Sequence, residues 1–369
     1  MFVEVLATAD TVCVDALYNE RMEKEKREYL VRTANQFVIG DGINTVEQFG
    51  RGRINDTYLI TTEVGERFVL QKVNPIFAPS VLNDIEQMTR AMKQADFTTT
   101  ELVPTKTGEL GIVGHGECWR MLTYIPGRTV ENGVSEEEAV SAMGLIGKFH
   151  QTFADHAYIF RHVREGFHDT ARIMEKLTDT MHEYRETKKS NALGALSKKI
   201  FNEYHTRSHA WAHLPKRIIH GDPKLNNIRF APASHHAIAL LDLDTLGRHS
   251  VVIDIADAAR SWCNRADEGD EEHAVFDLNI FRAMMEGYSR AVNFLTREER
   301  EAIPNAIAQI ALELSVRFLT DAYRESYFTL DRERYPDLFT QNSAKARAQF
   351  ALYQDILQKK DDVEKISIQ

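Results

Sequence analysis

His220-Gly221-Asp222-Pro223-Lys224-Leu225-Asn226-Asn227 follows an apolar run that begins at Arg217, and fifteen residues beyond Asn227 a second apolar run ends in Leu240-Leu241-Asp242-Leu243-Asp244. Two carboxylates and an amide, each at the end of a β-like run, offer the hard oxygen ligands that a magnesium ion takes. The spacing suits phosphoryl transfer. Asp222 can accept a proton from an incoming hydroxyl, Asn227 and Asp242 can hold Mg2+, and Lys224 can reach the transferring phosphoryl group. Asp and Asn in loops are ordinarily turn formers and helix caps. Here the spacing, the strand context and an upstream glycine loop agree on the catalytic reading. Alternation along the strand aims Asp242 and Asp244 at one face, leaving Asp244 as a second metal ligand, a substrate contact or a support of the loop. Asp254 is expected to brace the loop, and His220 to hold it in shape through hydrogen bonds.

Outward from this core the chain changes character near residue 125. Ahead of it lie short β-rich runs: Glu47–Phe49 leading into Gly50-Arg51-Gly52-Arg53-Ile54-Asn55, then Thr57–Thr62 and Arg67–Val73, with a Val64-Gly65-Glu66 turn between the last two. These read as consecutive antiparallel strands. A helix opens near Ser80, and a strand over Cys118–Ile125 ends at Pro126-Gly127. Beyond it the pattern is mainly helical, with capping boxes at Ser135-x-x-Glu138 and Thr296-x-x-Glu299 and the second helix continuing past Pro304 to Tyr323. A β-like island (Arg217–His220, Asn227–Phe230, Ala237–Leu241) interrupts the helices. The expected organisation is a charged, helical N-terminal extension (1–30), a small β-rich lobe (31–125) and a larger helical lobe (126–369), with a ligand cleft between two bodies.

The 369 residues carry 45 Lys+Arg against 55 Asp+Glu, a formal charge of −10. That balance argues against a nucleic-acid-binding face, which needs a basic stripe, and no apolar stretch is expected to reach the roughly 20 residues of a membrane span. The start has acidic residues and no basic leader, against a signal peptide. Cys13, Cys118 and Cys263 are odd in number and far apart, which fits free thiols in a reducing, cytoplasmic setting. His205, His209 and His213 recur at four-residue spacing without the accompanying carboxylate of a zinc site, so a solvated or packed helix face is the expected reading.

The order Asp, Lys at +2, Asn at +5 matches the protein-kinase catalytic loop, although Asp242 is followed by Leu-Asp where protein kinases have Phe-Gly. His-Gly-Asp-x4-Asn with an apolar-apolar-Asp strand resembles the aminoglycoside phosphotransferase and choline kinase superfamily. The closer resemblance is to the N-acetylhexosamine 1-kinases, through Gly50–Tyr58, Phe68–Asn74, Lys224–Asn227, Leu241–Thr245, Arg317–Asp321 and Tyr327-Phe328. It covers about residues 30 to 355. It implies an α+β, bilobal, protein-kinase-like fold and an ATP- and Mg2+-dependent phosphotransferase acting on the anomeric hydroxyl of a sugar.

Gly50 and Gly52 then become a phosphate cover, because missing side chains let backbone N–H groups approach oxygen. On the third strand alternation puts Val69 and Gln71 on one face and Leu70 and Lys72 on the other. If Val69 roofs the adenine, Gln71 stands where protein kinases have lysine, and charge compensation shifts to Mg2+, Lys224 and Arg53. Glu86 would hydrogen-bond Gln71, or else be a solvated helix residue. Leu122 and Tyr124 fall in the connector whose backbone would meet the adenine edge. By resemblance Arg317 and Tyr327 contact the sugar, with Asp321 beside them; an i,i+4 ion pair is the plain alternative for Arg317 and Asp321. The partners expected are ATP and a sugar, with neither nucleic acid nor membrane. The competing functions are the same chemistry on an amino alcohol, aminoglycoside or other sugar, and a non-catalytic pseudokinase-type binding module.

Overall fold

Strands β1 (Ile43–Gln48), β2 (Asp56–Thr62) and β3 (Arg67–Lys72) run antiparallel in sequence order, as their alternating pattern and glycine turn predict. β4 (Leu102–Val103) and β5 (Ile112–Gly114) are too short to show any periodicity, and both pair with β6 (Glu117–Thr123), which lies against β3. This computed structural model describes residues 22, 24–40, 42–50, 54–131, 133–164, 166–205 and 210–368. Most of the expected N-terminal extension, together with Gly52 and Arg53, therefore lies outside the described residues; residues 24–34 of that region form helix α1.

Alternation decides what each face of the sheet does. Tyr58, Leu70 and Met121 are cross-strand partners, and with Ile60 and Trp119 they bury against Leu30, Ala34 and Phe37 at the end of α1. Lys72 has the same parity as Leu70, so it also faces the α1 side. Its Nζ meets Glu117 Oε1 at 2.6 Å, while Glu117 Oε2 accepts from Tyr29 of α1 (2.8 Å) and from the Trp119 indole (2.9 Å).

The chain divides into two compact units, one running to Leu82 and resuming over Glu101–Tyr124, the other made of Asn83–Thr100 and Ile125–Gln369. Most of α2 (Val81–Gln94) counts with the second unit. There α3 (Glu136–Thr152) begins at the Ser135/Glu138 capping box and packs on α7 (Leu278–Ala291). A Cβ on Gly287 would fall 2.1 Å from the Val140 carbonyl oxygen, so glycine alone permits that approach. α4 (Thr170–Glu183), α5 (Lys188–His205), α6 (Val251–Trp262), α8 (Arg297–Arg324), α9 (Leu338–Gln358) and α10 (Lys360–Ile368) complete the helical body. α8 carries the Thr296/Glu299 box and includes Pro304, as the sequence indicates. By length and composition it would also suffice to cross a membrane, contrary to the expectation that no stretch does; 78% of its apolar window is buried inside the chain, the burial of a core helix.

The expected β island is two separate ladders. β7 (Arg217–Ile219) pairs with β10 (Gly247–His249), and β8 (Ile228–Phe230) pairs with β9 (Ala237–Leu240). α5 ends at His205, His209 lies outside the described residues and His213 lies in a turn, so the histidine spacing marks no continuous helix face among the described residues.

Three donors hold the Glu117 carboxyl at about 2, below its usual 4.5: first the Lys72 hydrogen bond, then those of Trp119 and Tyr29. A depressed folded-state value means that the stabilisation is full above pH 4.5 and fades as pH falls towards 2. Thermal melts across that window should show the loss. Glu117→Gln should remove this component of the acid dependence, and an unchanged profile in that variant would contradict the assignment.

Candidate active site

β7 delivers the chain to His220, and Gly221 turns it. Gly221 has φ +86°, and a Cβ there would lie 2.4 Å from the Thr245 carbonyl oxygen and 3.0 Å from Phe167 Cε1. No side chain fits, so the motif needs glycine at this position. The turn presents Asp222. Its Oδ2 accepts from Lys224 Nζ (2.5 Å) and Asn227 Nδ2 (3.2 Å), and Oδ1 takes no hydrogen bond among the described residues. Asn227 Nδ2 also donates to the Asp222 carbonyl oxygen at 2.8 Å, which turns the amide oxygen the opposite way. Burial alone would favour the neutral amine of Lys224, but the charges of Asp222 and Asp242, with Asp257 behind them, raise its pKa above the ordinary lysine value. Asp222, Lys224 and Asp242 thus share one electrostatic neighbourhood.

Asp242 is not on a strand. β9 stops at Leu240; Asp242 takes the left-handed conformation (φ 61°, ψ 67°), and Leu243–Thr245 form a 3-10 turn. Strand alternation therefore does not relate Asp242 to Asp244, and Asp244 is 2% exposed. A non-glycine residue held at positive φ is a strained position of the kind that persists at functional sites, and aspartate tolerates it better than most. No group of three or more His, Cys, Asp or Glu side chains suited to a metal occurs among the described residues. Asn227 and Asp242 offer one amide and one carboxylate oxygen, a donor type that fits a hard divalent ion.

The loop is braced from behind by Asp254, which is fully buried on α6. Oδ2 accepts from the His220 backbone N–H (2.7 Å) and His150 Nε2 (2.9 Å), Oδ1 from the Gly221 N–H (2.8 Å). Burial pushes this carboxyl towards its neutral form, yet the His150 hydrogen bond and the neighbouring donors hold its pKa below the usual value. His220 Nδ1 accepts from the Asp222 N–H (3.3 Å), so Nε2 carries the proton and donates to the Leu241 carbonyl oxygen (2.9 Å). That bond links the Asp222 loop to the residue before Asp242, and with both ring nitrogens engaged His220 has none open to an acceptor hydroxyl. Trp262 adds a bond to the Pro223 carbonyl oxygen at 3.0 Å. Asp254 and Trp262 bond loop residues 33 to 39 positions away, and His150 bonds Asp254 from 104 positions away, so no local motif announces the whole set.

In the smaller unit, Gly50 has φ 72° and precedes the undescribed residues of the glycine loop. Asn55 Oδ1 accepts from the Asn74 N–H (2.9 Å), and Asn74 Nδ2 donates to the Ile54 carbonyl oxygen (3.1 Å), closing the far end of that loop. Gln71 faces its register partners: Nε2 donates to Thr57 Oγ1 (3.1 Å), and Oε1 accepts from Arg120 Nε (2.8 Å). Arg120, 1% exposed, is a buried cation that the sequence reading overlooked. Glu86 pairs with Arg90 at 2.8 Å, the i,i+4 arrangement of a plain helix surface. Leu122 is a register partner of Val69, and the Tyr124 ring lies 4.1 Å from the Arg67 guanidinium.

Around the end of α8 the expected substrate residues separate into two roles. Asp321 Oδ1 accepts from the Ser326 and Tyr327 N–H groups, and Oδ2 from the Phe328 N–H and Asn342 Nδ2. Its carboxylate is therefore used inside the chain: it folds the turn that places Tyr327, and neither the Arg317 ion pair nor an open substrate contact describes it. Arg317 instead donates to the Tyr327 hydroxyl at 3.3 Å, and Arg164, which the sequence reading missed, donates to the same oxygen at 2.8 Å. A separate cavity of about 500 Å³, lined by Phe97, Lys148, His236 and Arg290 among others, contains none of these residues.

Asp254→Asn presents an amide NH2 to donors that now meet a carboxylate. It should cost about 1–3 kcal/mol for each donor left unmet and lower turnover by disordering Asp222. Chemical denaturation and steady-state kinetics measure both; wild-type stability with wild-type turnover would remove Asp254 from this role.

A family model described as the phosphotransferase enzyme family matches residues 45–291, well over half of the chain. An aminoglycoside phosphotransferase from Alicyclobacillus acidocaldarius superposes with a TM-score of 0.59 at 15% identity, over 89% of this chain and 96% of that one. An amicoumacin kinase in complex with AMP-PNP, Ca2+ and Ami gives 0.60 at 14% identity, over 90% and 96%. A choline kinase from Cryptosporidium parvum gives 0.60 at 12% identity, over 92% and 97%. At such identities the superpositions speak for the fold, a kinase-like one with a small antiparallel sheet and a helical lobe; the family match speaks for descent and spans the Asp222 loop and Asp242 alike. The chain therefore belongs to the phosphotransferase enzyme family.

Proposed function

We propose that the protein transfers the γ-phosphoryl group of ATP, with Mg2+, to the anomeric hydroxyl of an N-acetylhexosamine, giving the sugar 1-phosphate and ADP. The observation that carries this reading is the Oδ1 of Asp222, which takes no hydrogen bond among the described residues, on a carboxylate fixed through Oδ2 by Lys224 and Asn227. A carboxylate held in this way can orient an acceptor hydroxyl and take its proton late, and an anomeric hydroxyl is more acidic than an ordinary alcohol. Asn227 and Asp242 would hold the metal, which when bound neutralises charge on the triphosphate. Lys224 would follow the phosphoryl group as it moves. Gly50, Gly52, Arg53, Gln71, Leu122 and Tyr124 would serve the nucleotide, making the smaller, β-rich part of the chain the nucleotide-holding one and the helical part catalytic.

Arg317 and Tyr327 support a sugar as acceptor, because they offer directed donors next to an aromatic face, which suits the hydroxyls and C–H surface of a sugar ring. Asp321 enters as the residue that positions Tyr327. Most of the acceleration should come from alignment and from cationic stabilisation of spread charge. We place this activity in the cytoplasm, where ATP and reduced thiols coexist.

An acceptor screen with ATP and Mg2+, headed by N-acetylglucosamine and N-acetylgalactosamine with product located by phosphorus NMR, tests the assignment. A new signal at C1 is expected; phosphorylation confined to an amino alcohol or an aminoglycoside would redirect it. Asp222→Asn should lower kcat by about 10²–10⁴-fold while nucleotide still binds, and near-normal turnover would end the reading. Asp242→Ala should weaken Mg·ATP binding, and undiminished affinity would count against its ligand role.

A further inference from the structure

Arg164 and Arg317 reach one phenol oxygen from two different segments, the loop before α4 and the body of α8. Their nitrogens lie 2.8 and 3.3 Å from Tyr327 Oη, so the two are no more than about 6 Å apart. Among the described residues neither guanidinium has a carboxylate partner. Arg317 also approaches the Tyr327 ring face (5.7 Å to the centroid), and Arg164 that of Phe167 (5.1 Å). Two cations sharing a neutral oxygen repel each other, and the phenol's lone pairs answer only two of their ten N–H donors. Desolvation would raise the Tyr327 pKa, but the two guanidiniums outweigh it and lower the value, which shows how positive this spot is on a chain of net charge −10.

The location is as telling as the charge. Phe167, beneath Arg164, is the side chain that a Cβ on Gly221 would strike, so the cluster borders the Asp222 turn. Tyr327 is 36% exposed, open to a ligand from solvent. Guanidinium pairs of this kind recognise planar or tetrahedral oxyanions through paired N–H bonds.

We infer that Arg164 and Arg317, with the Tyr327 hydroxyl between them, form a binding site for an anionic substituent on the acceptor, so that the preferred acceptor is an N-acetylhexosamine that also bears a carboxylate or phosphate group. This rests on the reading of Asp222 as the place where the acceptor hydroxyl reacts. It adds Arg164 as the residue that selects for charge.

Calorimetric titration of the full chain with N-acetylglucosamine, N-acetylglucosamine 6-phosphate and glucuronic acid tests the inference without turnover. At least one acidic sugar should bind ten-fold or more tightly than N-acetylglucosamine, with an affinity that falls as salt is raised. The choice between the phosphate and the carboxylate sugar identifies the anion. Arg164→Gln should cost that acidic sugar at least ten-fold more than it costs the neutral one, and Arg164→Lys should restore part of the difference. Equal affinities for neutral and acidic sugars, or equal losses for both in Arg164→Gln, would overturn it. Phosphorus NMR on the same sugars reports separately on the anomeric assignment: an acidic sugar bound as expected but phosphorylated elsewhere would leave this site standing and remove only that assignment.

Discussion

The buried carboxylate of Asp254 is the constraint on which the geometry of the candidate site rests. A charge taken wholly out of water is costly unless donors surround it. Here they are two consecutive backbone N–H groups of the Asp222 turn and the His150 ring. Satisfying the buried charge thus forces the turn into one conformation. His220 passes the order on, its two ring nitrogens joining the backbone of Asp222 to that of Leu241. The left-handed backbone of Asp242 and the crowded Gly221 are tolerable because this network over-determines them.

The smaller unit meets a different electrostatic problem. Its third strand turns its lysine towards α1, where Lys72 is absorbed by Glu117. The opposite face carries neutral Gln71, whose side-chain amide oxygen accepts from the Arg120 guanidinium on the neighbouring strand. A buried guanidinium is retained only where its donors are met, so glutamine at that position has a structural reason, as acceptor for a charge supplied from the neighbouring strand.

How much of this was legible in the sequence follows from the range of each interaction. The Asp222–Asn227 loop was readable because its parts lie within six residues, and the capping boxes at Ser135 and Thr296 because such caps are local by nature. The parity of Gln71 and Lys72 followed from strand geometry alone. Asp321 was misjudged: spacing along α8 gives no sign that the chain would double back after Glu325 and aim three N–H groups at that carboxylate. Asp242 and Asp244 were read as a strand because the apolar run before them does not reveal where extended backbone gives way to a left-handed residue. Asp254 was expected to brace the loop, but His150 and Arg164 act on groups more than a hundred residues distant, and nothing in their immediate neighbours distinguishes them from ordinary helix or loop residues.

Helix α1 carries a practical consequence for anyone handling the protein. Leu30 and Ala34 are embedded in the sheet core, and Tyr29 is tied to the Lys72–Glu117 pair. A shortened version starting at residue 35, trimmed on the view that a charged leader is dispensable, would strip the cover from Tyr58, Leu70 and Met121. The uncovered face would be a broad, sticky β surface, inviting association between molecules during expression. Affinity tags and cleavage sites therefore belong upstream of Met22, so that every described helical residue is kept.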